Sequence, residues 1–102
     1  MGTWSRGELD RLVDEAIVDA YGQDEEESGL FAMVQDHLSV PFTTTVLGVE
    51  VNVIGVDLTA SGIVAVCARG SQRQAVGLLD LPLPTPAPEG AQWIEAYRHW
   101  AC

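Results

Sequence analysis

Prolines stand at positions 41, 82, 84, 86 and 88 and nowhere else, and their placement limits what each part of the chain can become. A proline inside a helix costs about 3 kcal/mol, and the residue before it avoids helical geometry. Pro41 is therefore expected to end any helix that precedes it. The alternate prolines from Pro82 to Pro88 rule out both helix and interior strand, so residues 82–88 read as a rigid, extended connector over the surface. The stretch from Phe42 to Leu81 holds no proline and is rich in Val, Thr, Ile and Gly, which suits strands.

Before Pro41 the apolar spacing is helical. Ser5 and Glu8 have the spacing of a capping box. Leu9, Leu12, Val13, Ala16, Ile17 and Ala20 then recur along one stripe, with Asp10, Arg11, Asp14, Glu15 and Asp19 mostly off it. A helix is expected over 6–21, with Gly22 as its stop. A second is expected over 25–38, with Asp24 as N-cap and Glu27 at its third position. Leu30, Phe31, Val34 and Leu38 form its apolar face, beside Met33 and His37.

After Pro41 the period changes to two. Val49–Val53 alternates as a half-buried strand does. Ala60-Ser-Gly62 reads as a turn, residues 63–68 as a buried strand, 69–73 as a polar turn and 75–79 as another strand. Short strands on tight turns predict a small, bent antiparallel sheet or an SH3-like barrel. Beyond the connector, Trp93, Tyr97 and Trp100 recur at i, i+4 and i+7 and predict a short helix with an aromatic core face. The expected fold is α+β, one domain over residues 1–102. An N-terminal helix pair (5–38) packs on an SH3-like sheet or barrel (42–81), and a connector (82–88) leads to a C-terminal helix (89–100).

Charge narrows the partners. Fifteen carboxylates face five arginines and no lysine, for a net charge of −10. Such a chain repels phosphates and anionic bilayers, which argues against nucleic acid and membrane as partners. Cations and basic proteins remain, and nothing demands more than a monomer. Cys67 lies in an apolar run and Cys102 is the last residue, so no disulfide framework is indicated. There is no signal-peptide pattern and no apolar run of transmembrane length, and a reducing cytoplasm is the expected setting. Catalysis finds no footing. Serines lack a nucleophile setting, no glycine-rich phosphate loop precedes a helix, and His37 and His99 stand apart among apolar neighbours.

The densest charge lies in Asp19-Ala-Tyr-Gly-Gln-Asp-Glu-Glu-Glu27, with five carboxylates and no cation. A helix N-terminus favours one or two of them by about 0.3–1 kcal/mol each. Five repel one another unless a cation intervenes. Calcium takes about six to eight oxygens in irregular geometry, whereas magnesium keeps its waters and zinc prefers His or Cys. An EF-hand loop is nearly spelled out from Asp24, with Glu26, Ser28 and Gly29 at positions three, five and six. It fails at position twelve, which is Gln35 rather than a bidentate Glu.

Ile17-Val-Asp-Ala-Tyr-Gly22, the acidic run after it, Gly29, Gln35-Asp-His-Leu38, Pro41-Phe42, Val49–Val53 and Trp93-Ile-Glu-Ala-Tyr-Arg-His-Trp100 together resemble the small acidic bacterial calcium-binding proteins of the CcbP type, best known from cyanobacteria. The resemblance implies helices on a small β-barrel-like sheet, reversible calcium binding without an EF-hand, a buffer or sensor role, and no enzyme activity. The positions matching the family's acidic pattern are Asp19, Asp24, Glu25 and Asp36, with Asp36 and then Asp19 the foremost metal ligands. The pattern departs after Val53, where the family often carries an acidic insertion and this chain has only Asp57-Leu-Thr-Ala-Ser-Gly62. The alternative is an interaction module whose acidic face docks on a basic protein.

Overall fold

The structure, a computed structural model, describes residues 4–101, so Cys102 lies outside the described residues. Helix α1 (Arg6–Ala16) starts as the capping box requires. The Ser5 hydroxyl accepts from the Glu8 N–H at 3.2 Å, and the Glu8 carboxylate accepts from the Ser5 N–H at 3.0 Å. The Ser5 backbone N–H, and then its hydroxyl, favour the charged Glu8 and hold its pKa below the ordinary value.

α1 ends at Ala16, earlier than the apolar stripe suggests. Its last carbonyl rests on Gly29 of α2 (Gln23–His37), where any Cβ would collide with the Ala16 oxygen. The chain turns over residues 17–19 instead of continuing, so Asp19 lies in a turn and not in a final helical turn. α2 also starts earlier than expected. Its N-cap is Gly22, and Asp24 falls inside the first turn.

Four strands follow: β1 (Phe42–Val46), β2 (Val49–Thr59), β3 (Gly62–Arg69) and β4 (Gln72–Gly77). They form an antiparallel meander in the order β1-β2-β3-β4. The expected SH3-like barrel is not formed, because β1 and β4 do not pair and the sheet is open. What returns to β1 is the proline connector, where Thr44 Oγ1 donates to the Pro82 carbonyl at 2.6 Å. Prolines lack the N–H that a ladder needs. β2 runs well beyond Val53 because a bulge between Val53 and Gly55 absorbs one residue. It resets the parity, so Val51 and Val53 before it and Val56 and Leu58 after it all face the core. β4 also begins earlier than the expected 75–79, since the polar turn shrinks to Gly70 and Ser71.

The helices do not pack as an N-terminal pair on the sheet. α2 lies on β2 and β3, while α1 rests on α2 and on α3 (Ala91–Ala101). Trp93, Ile94 and Tyr97 of α3 enter one apolar cluster with Leu30, Val53, Ile63 and Ala65. Trp93 and Tyr97 are buried as expected, and Trp100 is half-buried at the margin. Arg98 fastens α3 to the segment after β4, donating to the Leu78 carbonyl at 3.0 Å and also to the Leu81 carbonyl.

Candidate metal site

The acidic run divides by partner. The Tyr21 N–H donates to Glu25 Oε1 at 3.0 Å, tying the turn after α1 to the first turn of α2. Glu26 and Glu27 face α3. Trp100 Nε1 donates to Glu26 Oε1 at 2.9 Å, and the Tyr97 hydroxyl donates to Glu27 Oε2 at 2.9 Å. The Tyr97 oxygen in turn accepts from the Ile63 N–H at 3.2 Å. Gly62 makes room for this junction, since a Cβ there would lie 2.7 Å from the Tyr97 oxygen and 3.3 Å from Glu27 Oε2. Burial raises the Tyr97 pKa, the Ile63 N–H lowers it, and Glu27 raises it further. Two carboxylates of the run therefore hold α2 to α3.

The other predicted residues separate. Asp19 and Glu25 line one surface depression beside Val18 and Met33, and Glu15 of α1 joins them. Asp24 is exposed in the first turn of α2 and does not line it. Asp36 is exposed near the end of α2, about 16 Å from Glu25 at 1.5 Å of rise per residue. Of the four carboxylates, then, two share a place and two stand apart. The residue missed by sequence reasoning is Glu15. Its signal was the i, i+4 spacing to Asp19, a like-charge pair that disfavours helix on its own.

Donor chemistry at this depression is all carboxylate oxygen, the type a hard cation takes. In arrangement, no group of three or more His, Cys, Asp or Glu converges closely enough to hold a metal ion among the described residues. Glu15, Asp19 and Glu25 are exposed on the walls of this depression. Asp57 lies within β2, its carboxylate accepting from the Leu58 N–H. Residues 57–59 are thus strand, and only Ala60 and Ser61 form the turn. The segment from Asp24 to Gln35 is helical throughout.

With that geometry in place, comparison with known proteins defines the class. The chain matches the family model Calci_bind_CcbP, described as calcium binding, over residues 10–101. It belongs to this calcium-binding family, which is not an enzyme family. No curated protein and no solved structure matches it. No helix among the described residues is long and apolar enough to cross a membrane.

Proposed function

We propose that the chain binds calcium ions reversibly through surface carboxylates, outside any EF-hand loop, and serves as a cytoplasmic buffer or sensor. The observation that carries this reading is the depression between α1 and α2, which Glu15, Asp19 and Glu25 line in a chain of a calcium-binding family. These three would hold the ion at the junction. Glu25 has one oxygen engaged with the Tyr21 N–H and the other available. Asp36 would serve a separate cation position, and Asp24 adds to the local field. Glu26 and Glu27 stay with Trp100 and Tyr97.

The test is thermal unfolding of metal-stripped protein in chelator and in millimolar calcium. Binding to the native state alone adds about 2.7 kcal/mol at one hundred times Kd. The midpoint should rise with calcium by several degrees. An equal rise with sodium chloride at matched ionic strength would assign the effect to screening, and an unmoved midpoint would contradict the reading.

A further inference from the structure

The end of the sheet that no helix residue lines carries a depression of about 450 Å³. Val46, Val49 and Cys67 contribute apolar lining, and Arg69 and Arg73 stand at it. These are two of only five cations in the chain, and neither makes an ion pair among the described residues. At its edge Leu47 is 98 % exposed with φ 51°, a left-handed conformation. Turns of this kind favour Asn, Asp or Gly. A leucine there contributes nothing to the core and projects an apolar side chain into solvent.

The opposite kind of patch lies at the α1–α2 turn of the same molecule. Val18 is 76 % and Tyr21 89 % exposed, beside Asp19, Glu15 and Glu25. One patch is a concave apolar surface with unpaired arginines, and the other is an exposed apolar turn set among carboxylates. They are opposite in charge, and both expose apolar side chains.

We infer that a second copy of this chain docks head to tail, its Val18–Tyr21 turn entering the Val46–Val49 depression and its Asp19 and Glu15 meeting Arg69 and Arg73. The contact is small, so it is weak and transient. The net charge of −10 opposes it at low ionic strength. At physiological salt the Debye length is about 8 Å, so the repulsion between whole molecules fades while pairs in contact persist. A head-to-tail contact leaves a free half at each end of a pair, so it extends past two chains, into a ring or an open filament.

Sedimentation equilibrium in chelator at physiological salt tests this without reference to calcium. The wild-type mass should rise with concentration and pass that of a dimer. Asp19→Arg and Arg69→Glu should each be monomeric, with circular dichroism confirming their folds. Mixed together, they should associate again, because each supplies the intact half that the other lacks and the two reversed charges also attract each other. Leu47→Asn, which suits the left-handed turn, should associate less while folding at least as well. A wild-type chain that stays monomeric at high concentration would overturn the inference. So would folded charge variants that associate like wild type, or a mixture that stays monomeric.

Discussion

The Tyr97 hydroxyl donates to Glu27 and accepts from the Ile63 N–H, so one oxygen joins α3, α2 and β3. Removing it in Tyr97→Phe leaves a buried N–H and a carboxylate without their partner. The expected loss is about 1–3 kcal/mol. Urea unfolding should show a lower midpoint with an unchanged slope, and an unmoved midpoint would place this junction outside the stabilising contacts.

The same junction sets a pH dependence. Burial, with Glu27 adding to it, raises the Tyr97 pKa in the folded chain, despite the Ile63 N–H. The folded state therefore holds this proton more tightly than the unfolded one. The contribution is fully present below the ordinary tyrosine value of about 10. It is lost as pH rises through the higher folded value. Stability measured from pH 9 upward should fall more steeply for wild type than for Tyr97→Phe. Parallel profiles would show that Tyr97 does not titrate differently on folding.

The aromatic face of α3 should be graded. Trp93 is buried and stacks on His37 with centroids 5.7 Å apart, so Trp93→Ala should cost about 3–5 kcal/mol. Trp100 is half-buried, and its replacement by alanine should cost less. Equal losses in denaturant titrations would mean that Trp100 carries more of the core than its exposure indicates.

Gly29→Ala separates helix propensity from packing. Within a helix, alanine is favoured over glycine by about 1 kcal/mol. Here the new Cβ would collide with the Ala16 carbonyl, so the variant should be less stable than wild type. A rise in its melting temperature would show that α1 and α2 separate readily at this point.

These contacts mark where sequence reasoning reached and where it stopped. Local signals held. The Ser5–Glu8 box begins α1, and the alternation of Val49, Val51 and Val53 marks β2. The end of α1 was hidden, since Ile17 and Ala20 extend its stripe while the stop comes from Gly29, thirteen residues beyond Ala16. The continuation of β2 was masked by the bulge at Ile54–Gly55, which breaks the alternation that signals a strand. Closure of the sheet depends on which segment returns to β1, and no local pattern encodes that. At the site, the acidic run was plain as composition. The fate of each carboxylate was not, because the partners Tyr97 and Trp100 lie about seventy residues away in sequence.

Substitutions at the carboxylates should follow the same division. Asp19→Asn should weaken calcium binding at the α1–α2 junction by about tenfold or more, at about 1.4 kcal/mol per tenfold. Asp36→Asn should affect that position less, because Asp36 does not line the depression. Glu27→Gln should leave calcium affinity nearly unchanged and lower stability instead. A calorimetric ranking with Glu27→Gln as the most damaging would move the site to the face of α2 that meets α3.

Calorimetric titration of metal-stripped protein with calcium, at physiological salt and with magnesium in excess, tests calcium binding most directly. Saturable binding with a defined stoichiometry, surviving both competitors, is the predicted result. Weak, non-saturating heats that vanish as salt is raised would mean that the carboxylates attract only a counter-ion cloud, and would contradict the assignment.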